Sequence, residues 1–450
     1  MESLPDYFKD ILLENLKDFD LAKLSSESES YSDIISLDEI LLIDLNNYNN
    51  IKEFTNKSYE KYIKYIKHID VFINLTRIDF SDINITSFKI FPDNAFPKLE
   101  ILVLNSSQIS SFEGIHDNAF PNLAALSLDN NKITSFEGIP DNAFPELRVI
   151  LLMRNKITLF KGFPKNGFPK LISISLSGNQ IKSFKGIPDN AFPELEILNL
   201  SNNQITSFKD IPKIPKLVIF DLDNNKITSF KGIPKFPKLE HLGLKNNQIT
   251  SFIGITDKTF PNLKRLDLQD NRITLFEGIP DNVFPKLEIF NLQNNQITSF
   301  KDIPKFPKLE HLDLINNRIT LFIGITDKTF PNLEKLYLGS NQISSLEGLS
   351  GEIFSKLEIL VLYNNQISSF KGIYSFPNLK ILYLINNNIS SFEGIPDNAF
   401  PKLEELYISD NQITSVEYLT NIFPNLKKSD LEGGLGIYQQ IKHFISRIIG

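Results

Sequence analysis

The sequence has no cysteine and no tryptophan, and it has only two methionines and five histidines among its 450 residues. The lack of cysteine excludes disulfide bonds, thiolate nucleophiles and every metal centre that needs sulfur ligands. No run of about 18 apolar residues is present, so no membrane-spanning helix is expected. The net charge is -7, and no stripe of lysine and arginine is present. Contact with nucleic acid or with a membrane surface is therefore not expected.

Phenylalanine and proline are abundant instead, at 37 and 24 residues, and a repeat explains both. Its pattern is L-x-x-L-x-L-x-x-N-x-I-x-x-F-x-G-I-P-(D-N)-x-F-P-x. Copies begin at Leu75, at Leu99 and then at intervals of 22, 23 or 24 residues as far as Leu426. Two slots of this pattern hold 27 of the 37 phenylalanines, which are therefore predicted to be core residues. A block of three repeats also recurs after 70 residues, since Leu217 to Leu244 nearly matches Leu287 to Leu314.

Each copy predicts one short strand, because the apolar alternation in L-x-x-L-x-L has a period of two. Equivalent strands would stack in parallel, and a single copy could not bury its apolar side alone. The prolines remove backbone donors and favour short turns on the return path. The glycine before the isoleucine, present in 11 copies from Gly114 to Gly394, indicates a positive φ or a close backbone approach.

This pattern resembles that of the leucine-rich repeat family over about 350 residues, and especially its short, regular class of phosphatase regulators and bacterial internalins. The resemblance implies an α/β solenoid, shaped like a horseshoe, with a parallel β-sheet on its concave side and about 15 repeats. It also implies a buried ladder formed by the asparagine that ends each strand. That ladder comprises Asn131, Asn155, Asn179, Asn203, Asn225, Asn247, Asn271, Asn295, Asn317, Asn341, Asn365, Asn387 and Asn411.

Three regions follow from the extent of the repeat. Residues 1–72 are predicted to form a helical N-terminal region, residues 73–425 the solenoid, and residues 426–450 a degenerate repeat with a capping helix. The N-terminus has no basic segment followed by an apolar one, so the expected setting is intracellular and cytoplasmic. The style of the repeats resembles that of amoebae and their large DNA viruses, and a viral protein would act in the host cytoplasm.

The beginning of the chain resembles the first half of an F-box. Apolar residues follow a Leu-Pro start at helical spacing, and the residues that would dock an adaptor are Leu4, Pro5, Phe8, Leu12, Leu16 and Leu21. The second half departs from the family, because a serine- and glutamate-rich run occupies residues 25–30. An N-terminal helical cap remains the other interpretation of these residues.

Outward strand positions form the candidate binding surface. Tyrosine with neighbouring aliphatic residues is typical of protein-binding hot spots, although strand propensity alone also favours these residue types. A mixed-charge zone precedes the tyrosines. The predicted partner-binding residues are Tyr337, Tyr363, Tyr383, Tyr407, Val361, Ile385, His241, Arg265, Asp267, His311, Asp313 and Lys335.

Catalytic and metal sites are not expected. His241 and His311 lie three repeats apart, or roughly 14 Å, and cannot share a metal ion. Asp221, Asp267 and Asp313 recur every two repeats, roughly 10 Å, which exceeds the separation of about 5.5 Å in a retaining carboxylate pair.

The sequence thus predicts a non-enzymatic scaffold that binds a partner protein on its concave face. No cofactor and no small-molecule substrate are expected. The first alternative is a substrate receptor of a cullin-type ubiquitin ligase that docks a Skp-family adaptor, and a more distant one is a hydrolase that uses the aspartates.

Overall fold

The computed structural model describes residues 53–55, 74–92, 95–166, 168–414 and 422–431. These residues contain seventeen short strands and, near the start, one 3-10 helix at Phe88–Ile90. The first nine strands are β1 Glu53–Thr55, β2 Arg77–Asp79, β3 Ile101–Val103, β4 Ala125–Ser127, β5 Val149–Leu151, β6 Ser173–Ser175, β7 Ile197–Asn199, β8 Ile219–Asp221 and β9 His241–Gly243. The others are β10 Arg265–Asp267, β11 Ile289–Asn291, β12 His311–Asp313, β13 Lys335–Tyr337, β14 Ile359–Val361, β15 Ile381–Tyr383, β16 Glu405–Tyr407 and β17 Lys428–Ser429.

All seventeen strands form one parallel sheet in chain order. Each strand pairs with the next at equivalent repeat positions, as in Asp313 opposite Tyr337 and Tyr337 opposite Val361. The predicted solenoid of stacked parallel strands is therefore confirmed.

Two features differ from the sequence prediction. The sequence analysis missed strand β1. This strand lies one repeat before β2 and pairs with it in register. The helical part of the predicted α/β class is limited, in the described residues, to the 3-10 turn and the single helical residue Ile422. Prolines in the return segment remove the N–H donors that a helix would need, and 22–24 residues per coil leave room for turns only. The predicted helical caps lie outside the described residues.

The core consists of the inward strand residues together with the isoleucines and phenylalanines of the return path. Phenylalanines in equivalent slots of successive coils stack with small interplanar angles. Phe376 and Phe400, for example, have ring centroids 5.8 Å apart at 2°, and Phe230 and Phe252 are 6.0 Å apart at 9°. Such pairs add about 0.5–1.5 kcal/mol each beyond the area they bury.

The asparagine ladder links each coil to the one before it. In Asn271, Nδ2 donates to the carbonyl of Leu244 in the preceding coil at 2.9 Å and to that of Leu268 in its own coil at 3.1 Å. The Oδ1 atom accepts the N–H of Ile249, again from the preceding coil, at 2.9 Å. The same arrangement recurs from Asn131 to Asn411. One side chain thereby satisfies backbone groups that the end of the strand would otherwise leave buried and unpaired.

The residue before each ladder position has a left-handed backbone, which the sequence analysis did not predict. Values of φ there are 56° at Asn130 and Asn224 and 51° at Asn246. Asparagine, aspartate and glycine tolerate this conformation, and they fill most of these positions. Arg154, with φ of 54°, is an exception.

Candidate functional site

The strand face, defined as the third and fifth positions of the repeats, is the surface on which the candidate residues meet. In most strands the middle residue is buried and the two flanking residues are only partly covered, as in His241–Gly243 and Lys335–Tyr337. The in-register pairing aligns equivalent positions into two columns that run across the strands. We call them the third-position column and the fifth-position column.

The fifth-position column becomes aromatic towards its C-terminal end. Tyr337 pairs with Val361, Val361 with Tyr383, and Tyr383 with Tyr407. The rings of Tyr383 and Tyr407 are stacked, with centroids 4.5 Å apart and an interplanar angle of 4°. Val361 is buried and the three tyrosines are partly exposed. These predicted partner-binding residues therefore form one continuous surface, which we call the tyrosine patch.

Charged neighbours hold the end of the tyrosine patch in place. The Tyr407 hydroxyl donates to Glu405 Oε2 at 2.6 Å, and Lys428 Nζ donates to the same hydroxyl and lies 4.9 Å from the ring centroid. The hydrogen bond to Glu405 raises the pKa of Tyr407. A ring fixed in this way loses little rotamer freedom when a partner covers it.

Tyr363 and Ile385 lie two residues beyond the fifth position, beside the patch. The Tyr363 ring lies across Gly339 of the preceding coil, where an added Cβ would be 2.5 Å from the ring atoms Cε1 and Cζ. The glycine therefore makes room for this ring, and any larger residue at 339 would displace it.

The fifth-position column is acidic in its central part. Asp221, Asp267 and Asp313 each use Oδ1 to accept the backbone N–H of the residue two places ahead, at 2.9, 3.1 and 2.9 Å. Asn199 and Asn291 make the same bond at 2.9 and 3.0 Å. The local role of these side chains is to cap the end of the strand, which an amide performs as well as a carboxylate.

Gly243 interrupts the column between Asp221 and Asp267. An added Cβ there would meet Asp223 Oδ1 at 2.9 Å and Asp221 Oδ1 at 3.3 Å. Burial raises the pKa of Asp223 to about 7, and burial together with the charge of Asp267 raises the pKa of Asp221. The central strand face is therefore a site where negative charge is costly and a cation would be stabilised.

The third-position column carries the basic candidates. Burial lowers the pKa of His241, with Arg265 and Lys264 acting in the same direction. Burial and the neighbouring Lys335 lower the pKa of His311. Both histidines are therefore mainly neutral at pH 7. Arg265 lies 3.8 Å from Asp267 across its own strand, which is a weak, half-exposed ion pair.

A group with metal-ligand chemistry lies beside this column, and the sequence analysis missed it. One donor atom from each of Glu310, His311 and Glu334 lies within 4.8 Å of the others. The duplicated repeat places Lys264 where Glu334 stands, and this lysine pairs with Glu240 at 2.8 Å. Spacing along the ladder could not reveal the group, because the two glutamates come from the neighbouring second position.

The F-box-like residues Leu4 to Leu21 lie outside the described residues, as do both predicted capping helices. Within the part of the chain that the structure covers, no helix is long and apolar enough to cross a membrane.

Residues 169–213, 215–257, 261–305, 307–351 and 355–397 match the family model described as "Leucine Rich repeats (2 copies)". The chain contains leucine-rich repeats. The matched residues include the central acidic column and the tyrosine patch up to Tyr383, and they do not include the F-box-like segment. No curated protein matches the sequence.

Several solved leucine-rich repeat structures are similar. A leucine-rich repeat protein of Leptospira interrogans is 22% identical with a TM-score of 0.56, and the match covers 84% of this chain and 99% of that one. A chain of the Toll–Spätzle complex of Drosophila is 20% identical with a TM-score of 0.54, over 76% of this chain and 50% of that one. An internalin of Listeria monocytogenes is 18% identical with a TM-score of 0.47, and the match covers 83% of this chain and 94% of that one. At these identities the similarity concerns the fold.

Proposed function

We propose that this protein is a non-enzymatic interaction scaffold whose strand face binds a partner protein. The observation that carries the proposal is the tyrosine patch, in which the partly exposed rings of Tyr337, Tyr383 and Tyr407 lie in one column with the buried Val361. Tyrosines flanked by aliphatic residues have the composition of protein-binding hot spots, and Tyr407 is in addition anchored by hydrogen bonds to Glu405 and Lys428.

The fold supports the same proposal. Stacked coils leave one long open surface rather than an enclosed cavity, and such surfaces suit extended macromolecular partners. The similar chain in the Toll–Spätzle complex is a component of a protein assembly, although fold similarity alone does not transfer function.

Replacement of the stacked pair tests the proposal. Tyr383→Ala combined with Tyr407→Ala should weaken capture of the partner by about 2 kcal/mol or more, roughly 30-fold, because two anchoring rings are lost. Capture is measured by affinity purification from cell extract, followed by mass spectrometry and titration of the enriched partner.

The matched control is Tyr374→Ala. Tyr374 is 66% exposed and lies in the return segment of its coil, away from the strand face. Partner capture should not change in this variant, and the melting curves of all variants should stay near that of the wild type. Equal capture by the double variant and the control would refute the role of the tyrosine patch.

The ubiquitin-ligase alternative rests on the segment from Leu4 to Leu24 alone, and no described residue favours it. Its test is the capture of a Skp-family adaptor under native conditions. Adaptor binding that disappears when residues 2–30 are deleted would support it, and the absence of adaptor would exclude it.

A further inference from the structure

We infer that the partner segment bound by the fifth-position column is a basic, proline-rich chain in the polyproline II conformation. This inference rests on the proposed function and specifies its partner class. The evidence is the order of residues along one column, which runs from acidic to aromatic in consecutive strands. From β8 to β16 the column reads Asp221, Gly243, Asp267, Asn291, Asp313, Tyr337, Val361, Tyr383 and Tyr407.

The spacing of the acids matches this conformation. Asp221, Asp267 and Asp313 occur on every second strand, so neighbouring acids lie about 9.6 Å apart at about 4.8 Å per strand. Polyproline II has three residues per turn and a rise of about 3.1 Å, so every third side chain points the same way at intervals of about 9.3 Å. A lysine or arginine at every third residue would therefore meet each acid in turn.

Other conformations fit the column less well. Successive side chains of an extended β-strand alternate between its two faces. Residues three apart would therefore lie on opposite faces, and only every second cation of such a series would face the acids. In an α-helix the nearest equivalent interval is seven residues, or about 10.5 Å, and the mismatch of about 0.9 Å accumulates at each step.

The carboxylates can accept these cations without losing their local role. The strand-end bond of Asp313 uses Oδ1 only, and so do those of Asp221 and Asp267. The second oxygen of each is not used by that bond, and in Asp267 it lies 3.8 Å from Arg265, a weak pair that a partner cation would replace. Asp221 is the most buried of the three, and Asp267 and Asp313 are partly exposed. Asp223, beside Gly243, adds to the negative field of the column. Gly243 and Asn291 alternate with the acids, so no apolar side chain separates them in the column.

The aromatic half of the column would take the prolines. Aromatic-lined surfaces bind polyproline II segments, which enter the complex with little loss of conformational entropy. The stacked rings of Tyr383 and Tyr407 supply such a surface, and Glu405 and Lys428 hold the Tyr407 ring. From Asp221 to Tyr407 the column spans eight strand intervals, or about 38 Å, so a segment of about 12 residues would cover it.

Synthetic peptides of 15 residues test the inference with the full-length chain. The probe is (Pro-Pro-Lys)3 followed by six prolines, made in this order and in the reverse order because the column does not fix the direction. One control has the same composition with the three lysines adjacent. A second control replaces every proline with glycine. Affinity is measured by fluorescence polarisation at two salt concentrations.

We expect one of the spaced peptides to bind at least about tenfold more tightly than either control, because only it matches both the spacing and the preformed conformation. Asp267→Asn with Asp313→Asn should reduce that affinity about tenfold, since each substitution removes the charge that a lysine would meet at a partly exposed carboxylate. The asparagines keep the strand-end bond, as Asn199 and Asn291 do, so the fold should be retained.

Tyr383→Ala with Tyr407→Ala should also weaken binding of the spaced peptide, whereas Tyr374→Ala should leave its affinity unchanged. Equal affinity for the spaced and clustered peptides would overturn the inference, because the attraction would then be charge alone. Failure of every peptide to bind at millimolar concentration would overturn it too. If the natural partner still depends on the tyrosine patch in that case, the proposed function survives. If neither peptide binding nor partner binding depends on the tyrosine patch, the inference and the proposed function are both wrong.

Discussion

The asparagine ladder gives the sharpest prediction about stability, and Asn271 is its best test. Replacing Asn271 with alanine removes the bonds to the carbonyls of Leu244 and Leu268 and leaves the N–H of Ile249 without its acceptor. Both carbonyls keep a second ladder donor, since Asn247 Nδ2 donates to Leu244 at 3.1 Å and Asn295 Nδ2 to Leu268 at 2.9 Å. The N–H of Ile249 is therefore the group left buried and unsatisfied, at a cost of about 1–3 kcal/mol. Because the bonds that the amide donates to both coils are lost as well, we expect a loss of about 2–4 kcal/mol in the free energy of unfolding.

Urea denaturation followed by far-UV circular dichroism measures this loss, and amide hydrogen exchange at Ile249 locates it. Each coil contacts only its neighbours, so the weakened step should also divide the unfolding transition near the middle of the solenoid. Asn271→Ser should lose less stability than Asn271→Ala. Ser107 occupies the same slot of its own repeat, and its hydroxyl donates to a carbonyl of the preceding coil, that of Ile83, at 2.6 Å.

Arg272→Ala is the surface control, because that side chain is exposed and its neighbours are unchanged. In this variant we expect the free energy of unfolding to change by less than about 0.5 kcal/mol. If Asn271→Ala costs less than about 1 kcal/mol and exchange at Ile249 is unaltered, the ladder does not stabilise the stack as argued.

Two further predictions concern charge and backbone. Burial raises the pKa of Asp223 to about 7, so the folded state binds more protons than the unfolded state between about pH 4 and pH 7, and stability should fall as the pH rises through that window. Asp223→Asn keeps an acceptor for the N–H of Lys245 and should flatten this pH dependence, and an unchanged slope in denaturation series at several pH values would contradict the assignment. Gly254→Ala should cost about 1–3 kcal/mol more than Gly394→Ala, because an added Cβ would lie 2.6 Å from backbone atoms of Phe230 and Lys231 at Gly254 but 4.0 Å from its nearest neighbours at Gly394. Equal melting temperatures would show that positive φ, common to both, sets the cost.

Much of the fold was predictable because every repeat position has one physical task. Leucines at alternating positions predicted the inward face of each strand. The glycine before the isoleucine was interpreted as a positive φ or a close approach, and Gly254 shows both, with φ of 113°. Strand β1 was missed because its copy keeps Phe54 and loses most of the surrounding consensus.

The candidate site was predictable as a set of positions but not as an arrangement. Tyr383 and Tyr407 were placed on one face by their repeat positions, yet their stacking depends on the register of two strands and on the contacts of Tyr407 with Glu405 and Lys428. The position of the Tyr363 ring depends on a glycine one coil earlier. The donor group formed by Glu310, His311 and Glu334 likewise combines neighbouring coils.

The sequence alone determined the repeat, the inward and outward positions of each strand and the identity of the ladder asparagines, because these follow from local periodicity. Tertiary structure decided which outward residues touch, which carboxylates are buried enough to hold a proton, and where one coil leaves space for a side chain of the next. Those properties depend on distances between coils, which side-chain size and strand register set together and which no single repeat encodes.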